Sequence, residues 1–279
     1  MKKNLADIQN TPDIRDIPLT KVGVKGLEYP IRVLDKVHKV QHTTGNADLY
    51  ANLPRHFKGV HMSRFVEIFH RHSEDLSMPR FLEMLEEIIT VLEAESAWGT
   101  VKFPYFLEKK APVSEIPGMM SYCCRYQGQV CLSQNSDILE QPEKKTAFDR
   151  HFVVAVTVPV TTVCPCSRAI SERGAHNQRG IVTVELELGP FFWIEDIIEL
   201  VEKAASSPVY SILKREDEKY ITESAYDNPK FVEDLVRDVY SGLKALGSFP
   251  RFSVEAENFE SIHNHSAYAR AVYKGVKHE

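Results

Sequence analysis

Apolar residues in this chain switch between two spacings, and the order of the switches limits the fold more than any other feature. Val182, Val184, Leu186 and Leu188 alternate with other residues, the period of a strand with one face on a core. Phe81, Leu82, Leu85, Ile88, Ile89 and Leu92 recur at helical spacing behind Pro79, a residue suited to a first helical position. Phe231, Val232, Leu235, Val236, Val239 and Leu243 do the same after Asn228-Pro229, and residues 194–205 read as another helix. His61-Met62-Ser63-Arg64-Phe65 opens one more, with Ser63 as N-cap and Phe65, Val66, Ile68 and Phe69 as its apolar face. Strands are predicted over residues 31–44, 98–107, 119–132, 152–163, 180–188 and 249–259, with a short one over 267–276. Pro104 predicts an edge or a bulge in the strand that holds it. The order strands, two helices, strands therefore comes twice. Segregated helices with hairpin-like strands predict an α+β fold with antiparallel sheets.

A chain of 279 residues can bury a sizeable core, as one large domain or two modest ones. Residues 1–30 are polar, carry proline and show no period, which reads as an N-terminal arm. The net charge of −5 argues against a general nucleic-acid binder, although it leaves room for a local basic pocket that takes a phosphorylated small molecule. No apolar run reaches the roughly 18 residues that span a bilayer, and the first ten residues lack an apolar h-region. A cytoplasmic location without membrane attachment is the expectation. The five cysteines are odd in number and clustered, which in a reducing compartment favours free, catalytic or metal-bound thiols over disulfides.

Chemistry concentrates after the Val- and Thr-rich run 152–163. There Cys164 and Cys166 flank Pro165, and His176 follows in a loop bracketed by Gly174 and Gly180. Thiolate and imidazole are ligand types that zinc and iron accept. Two small buried side chains at a strand end are the plainer reading of the cysteines, weakened by the nearness of His176. A structural four-ligand zinc site is disfavoured, because Cys123 and Cys124 are adjacent rather than spaced for chelation. A catalytic metal needs fewer protein ligands, and Glu218, Glu223 and Glu233 lie downstream as carboxylates that could complete it. For Glu233 an exposed i,i+4 pair with Arg237 is the stronger expectation from spacing alone. Further on, Glu260 and His263 follow the last long strand. They read either as a polar loop cap or as a carboxylate for the N–H and NH₂ edge of a guanine or pterin beside a histidine that titrates near neutral pH. His61 and Arg64, at a helix start, suit an anion or a plain cap equally.

Taken together, Pro159-Val-Thr-Thr-Val-Cys-Pro-Cys-Ser, Gly174-Ala-His-Asn-Gln-Arg, Tyr226-Asp-Asn-Pro-Lys-Phe-Val-Glu-Asp-Leu-Val-Arg, Glu257-Asn-Phe-Glu-Ser-Ile-His-Asn-His and Gly59-Val-His-Met-Ser-Arg-Phe resemble GTP cyclohydrolase of type IB. The resemblance is spread over most of the chain. It implies the tunnelling fold (T-fold), with two ββααββ-like modules per chain, 31–150 and 151–279, the second carrying most catalytic residues and the antiparallel sheets forming a barrel on assembly. It implies a homotetramer with active sites at subunit interfaces. The implied reaction turns GTP and water into formate and dihydroneopterin triphosphate, the first step toward tetrahydrofolate. Carried over residue by residue, Cys164, His176, Glu233 and Glu218 are the expected ligands of a divalent metal (zinc, manganese or iron). Glu216 and Glu223 lie close enough to be mistaken for Glu218. Glu260 is the expected purine anchor and His263 the neighbouring acid/base group, while Cys166 assists at the catalytic centre. His61, Arg64, Arg179 and Lys214 are candidates for binding the substrate, the last three through its triphosphate.

Three other readings compete. Nitrile reductases of queuosine synthesis share the fold and a cysteine, but need NADPH. An archaeal-type cyclohydrolase would use the same ring-opening site and release a cyclic phosphate. A non-catalytic scaffold organised by metal would unfold on chelation. RNA binding is opposed by the acidic balance and the lack of interleaved basic and aromatic residues.

Overall fold

The computed structural model describes Gln9 and residues 11–133 and 147–275. Its elements run β1 (Leu19–Asp35), β2 (Lys39–Leu53), α1 (Met62–His72), α2 (Met78–Leu92), β3 (Ser96–Lys110), β4 (Pro117–Leu132), β5 (Phe148–Val163), α3 (Pro165–Ile170), β6 (Asn177–Glu187), α4 (Ile194–Ala204), β7 (Ser207–Pro208), α5 (Arg215–Asp227), α6 (Val232–Leu246), β8 (Arg251–Glu260) and β9 (Ala267–Lys274). Strand neighbours follow the order β1-β2-β3-β4-β5-β6-β8-β9, with β7 on β5. The registered pairings are antiparallel, as an α+β chain of hairpin-like strands requires.

Two compact units divide the described residues. The first takes in the residues before Asp35, Val40–Phe103 and the described parts of 126–152; the second takes in Asp35–Lys39, 104–125 and the chain from Val153. In the first unit α1 buries Phe65, Ile68 and Phe69, and α2 buries Phe81, Met84, Leu85, Ile88, Ile89 and Leu92. Each such side chain contributes about 1.5–3 kcal/mol when removed from water. Phe81 packs edge-on against Tyr126 and Phe152. Gly128 makes room for it, since a Cβ there would lie 2.8 Å from the Phe81 ring.

In the second unit β5 pairs with β6 from Val153↔Glu187 to Val163↔Asn177, β6 with β8 from Gln178↔Glu260 to Leu186↔Phe252, and β8 with β9. One face of these strands buries Val154, Val156, Val158 and Val160 from β5, Val182, Val184 and Leu186 from β6, and Phe252, Val254 and Ala256 from β8. Ile194, Ile197, Ile198 and Val201 of α4 and Leu235, Val236, Val239 and Leu243 of α6 supply the helical side of the core. Glu202 fastens α4 to β3 and β4, accepting from Tyr122 Oη at 2.9 Å and pairing with Lys109 Nζ at 2.7 Å. Burial lowers the Lys109 pKa against the pull of Glu202.

Several expectations change. The strand expected over 31–44 is the meeting of two strands, β1 and β2, with a turn at residues 36–38. β1 begins at Leu19, inside the stretch read as an arm; its first half is exposed or half-buried, so no apolar period marks it. The N-cap of α1 is His61 rather than Ser63, which lies within the helix. Pro104 sits in a strand with neighbours on both sides, but the β2 register ends at Lys102, short of the proline, where no ladder bond to β2 is lost. Phe231 is the N-cap of α6 and 40% exposed, not part of its inner face. α3, α5 and β7 were not expected at all. Among the described residues no helix is long and apolar enough to cross a membrane.

Candidate active site

Three strands of the second unit end together, and their last inward-facing residues are polar. Along one face the pairing rows are Val158↔Val182↔Ala256, then Val160↔Gly180↔Asn258, then Thr162↔Gln178↔Glu260. The apolar core thus gives way, over two pleats, to a hydroxyl, a carboxamide and a carboxylate side by side. Gly180 keeps the middle row narrow: a Cβ there would lie 2.7 Å from Asn258 Oδ1 and 3.2 Å from Val160 Cγ2.

Cys164 and His176 stand just beyond the last row. The Cys164 N–H donates to the His176 carbonyl at 3.1 Å, so one ladder rung past Val163↔Asn177 joins the two residues. Cys164 is the N-cap of α3, and Pro165 at the helix start turns the chain away from the strand. Its Sγ accepts from Ser167 N at 3.4 Å. Ser167 Oγ donates to the Cys164 carbonyl at 3.2 Å and accepts from His176 N at 3.1 Å, tying both ends of the loop to one side chain. Cys166 diverges from Cys164 and is exposed within α3. All five cysteines are free thiols.

The His176 ring is oriented from behind. Its Nδ1 lies 3.0 Å from Gln178 Oε1, and Gln178 Nε2 donates to Thr162 Oγ1 at 2.8 Å. An amide oxygen only accepts, so Nδ1 carries the proton, and in the neutral ring Nε2 is the nitrogen left with a lone pair for a ligand. Gln178 and Thr162 are both buried, which removes competing water. Sequence reasoning missed this relay. Its signal was available: Gln178 is in phase with Gly180, Val182, Val184 and Leu186, a polar residue continuing an apolar face.

Glu260 is the last residue of β8 and His263 follows in the turn, its Nε2 3.7 Å from Glu260 Oε2. The start of α6 is tethered to the same sheet end, since Lys230 N donates to the Val163 carbonyl at 3.0 Å. Glu233 lies exposed in the first turn of that helix. The expected Glu233–Arg237 pair does not form; Arg237 Nη1 bonds Asp234 Oδ1 at 3.0 Å instead.

Glu218 belongs to α5, a helix that buries only Asp217 and Ala225. Asp217 holds the helix start. Its carboxylate accepts from Val113 N and Ser114 N at 2.9 Å, Ser114 Oγ at 2.6 Å and Lys214 N at 2.8 Å. Burial works to raise its pKa, and these donors outweigh burial and hold it well below the usual carboxylate range. Glu218 itself is exposed, as are Glu216 and Glu223.

Arg179 points to the opposite face of β6 from Gln178 and Gly180, by strand alternation. His61 and Arg64 lie in the first unit, at a small cavity of about 30 Å³ lined also by Phe57, Val60 and Val91. Arg64 Nη1 donates to the Val91 carbonyl at 3.1 Å, near the end of α2.

Cys164 and His176 fit a divalent metal in chemistry: a sulfur already accepting a hydrogen bond, and an imidazole whose free nitrogen is set by its partner. Among the described residues, no group of three or more His, Cys, Asp and Glu side chains is gathered closely enough to hold a metal, so neither Glu218 nor Glu233 joins that pair within this chain.

A sequence model of the family described as type I GTP cyclohydrolase folE2 matches residues 5–269. The chain belongs to this family. It is therefore a GTP cyclohydrolase by class, and the matched family carries the folE2 description rather than the type IB designation that the motifs suggested. FolE2 relatives cover nearly the whole chain. The GTP cyclohydrolase FolE2 of Syntrophus aciditrophicus is 51% identical over 95% of this chain and 98% of its own length. That of Pelobacter propionicus is 49% identical over 95% of this chain and 97% of its own. Among solved structures, a uricase from Bacillus fastidious superposes with a TM-score of 0.54 at 6% identity, covering 91% of this chain and 92% of its own. The uricase from Arthrobacter globiformis gives 0.53 at 6% identity over 93% and 94%. At such identity the likeness concerns the fold alone, and the fold is the T-fold.

Proposed function

We propose that this FolE2 chain opens the imidazole ring of GTP with water, releases C8 as formate and closes a new ring to give dihydroneopterin triphosphate, the first step of tetrahydrofolate biosynthesis. The observation that carries the reading is the Thr162↔Gln178↔Glu260 row with Cys164 and His176 at its end. It sets three polar side chains in one row beside two metal-binding donor types.

C8 of guanine is a poor electrophile, and water is a poor nucleophile at neutral pH. A divalent cation (Zn²⁺, Mn²⁺ or Fe²⁺) held by Cys164 and His176, with Glu233 and Glu218 as carboxylate ligands, would supply Lewis acidity, lowering the pKa of a water from about 16 to about 7. The remaining work falls to side chains. The Glu260 carboxylate accepts from N1–H and the 2-amino group, so that only a heterocycle with both donors is held in register. With Nδ1 of His176 committed to Gln178 and Nε2 reserved for the cation, the proton for N7 falls to His263. Cys166, exposed at the second position of α3, is proposed to assist at the catalytic centre. His61, Arg64 and Lys214, with Arg179 from the other face of β6, are proposed to meet the substrate and its triphosphate.

The site is completed between subunits of a homotetramer in the cytoplasm. Two features support assembly: a donor pair that gathers no third ligand among the described residues, and two successive runs of strands around helices, β1-β2-α1-α2-β3-β4 from Leu19 to Leu132 and a second run from β5 to β9 in which α3, β7 and α5 interrupt that order. A barrel closed by further copies is what the family resemblance implies for such modules.

GTP turnover by metal-stripped protein, with Mn²⁺, Fe²⁺ or Zn²⁺ added back, tests the reading. Formate and a pterin that fluoresces after oxidation should appear with metal and vanish in Cys164→Ala. Product analysis separates the linear triphosphate from a cyclic phosphate. No formate with any of the three metals would refute the proposal.

A further inference from the structure

The turn after β8 carries two imidazoles, and only one has been given work. The rings of His263 and His265 lie 5.1 Å apart, centroid to centroid, at an interplanar angle of 22°. That is a stacked pair at a separation typical of offset aromatic contacts. His263 is held weakly by anything else. Its Nε2 is 3.7 Å from Glu260 Oε2, beyond hydrogen-bond reach, and its backbone N–H meets the Glu260 carbonyl at 3.4 Å. His265 is better fastened, with Nδ1 3.3 Å from Asn264 Oδ1. Both residues are exposed, so no core packing forces their faces together.

We propose that His265 is a positioning residue. Its ring is the platform that holds the His263 imidazole in the orientation from which a proton reaches the purine. The inference rests on the assignment of His263 as the acid/base group. A histidine in an exposed turn otherwise samples several side-chain rotamers, and each wrong one removes the acid from reach. Proton transfer is sensitive to such misplacement, whereas substrate binding through Glu260 is not touched by it.

The test uses the full-length enzyme with Mn²⁺, and formate release as the readout. His265→Ala should lower kcat roughly tenfold and leave KM within about a factor of two. His265→Phe keeps the aromatic face and should restore kcat to within about threefold of wild type. In the double variant His263→Asn/His265→Ala, activity should equal that of His263→Asn alone, because the platform has nothing left to hold. Wild-type activity in His263→Asn would overturn the assignment and this inference with it. A damaged His263→Asn beside a wild-type His265→Ala, or losses that multiply in the double variant, would overturn the platform alone. If His265→Ala fails to fold, His265→Phe decides: a tenfold loss of kcat in a folded His265→Phe refutes the stacking role.

Discussion

Replacing Gln178 with methionine removes the relay behind His176 and little else. Methionine matches glutamine in length and lacks its polar end. Two hydrogen bonds disappear, the 3.0 Å contact with His176 Nδ1 and the 2.8 Å bond to Thr162 Oγ1. At about 1 kcal/mol net apiece they sum to about 2 kcal/mol. Thr162 is fully buried, so its hydroxyl loses a partner that water does not replace, and the cost rises to about 3 kcal/mol. This loss belongs to the metal-free protein and should appear as a lower urea midpoint at equal protein concentration. A second loss follows on adding Mn²⁺. Without Gln178 the imidazole is free to rotate and to change tautomer, and metal affinity should fall about 10- to 100-fold, read by calorimetry. An unchanged urea midpoint would refute the relay. A lowered midpoint with wild-type Mn²⁺ affinity would refute its role in preparing His176.

Three further outcomes follow from the same geometry. Because the Asp217 pKa is depressed in the folded state, its contribution to stability is present above the ordinary carboxylate pKa of about 4 and is lost as pH falls through the folded value; Asp217→Asn should therefore flatten the pH dependence of the urea midpoint below about pH 4, and parallel wild-type and variant curves would contradict this. Gly180→Ala drives a methyl to 2.7 Å from Asn258 Oδ1 and should cost about 1–3 kcal/mol, whereas an unaltered midpoint would mean that the buried amide swings aside. Glu260→Ala leaves the two donors of the guanine edge unmet and should reduce kcat/KM roughly 10³-fold or more in formate release, while a loss under tenfold would remove Glu260 from substrate recognition.

What the sequence revealed depended on whether apolar side chains carried the information. α2, α4, α6 and the strands β4 to β6 and β8 were legible because each buries a periodic apolar stripe; β9 alternates between half-buried and exposed positions and buries none. β1 was not, since its first buried residue is Ile31, twelve positions after the strand begins. α3 is too short to show a period, and α5 has no stripe to show, because its buried anchors are an aspartate and an alanine. At the site the motif residues Cys164, His176, Glu260 and His263 stood out by chemical type, and the strand ends gather them around one row. Spacing misjudged one pairing that depends on side-chain direction: Arg237 turns to Asp234 rather than Glu233. Gln178 was overlooked because a glutamine in an alternating strand reads as solvent-facing until the phase of its neighbours is counted.

The polar anchoring of α5 sets how its backbone opens. Helices that bury a full stripe unfold only with the core, but one held by a single carboxylate and an alanine can open while β5, β6 and β8 stay paired. Amide hydrogens of α5 should then exchange well ahead of those of α4 and α6. The helix that carries Glu218 is thus less protected than α4 and α6, and anything that engages that carboxylate should show up as slowed exchange along α5.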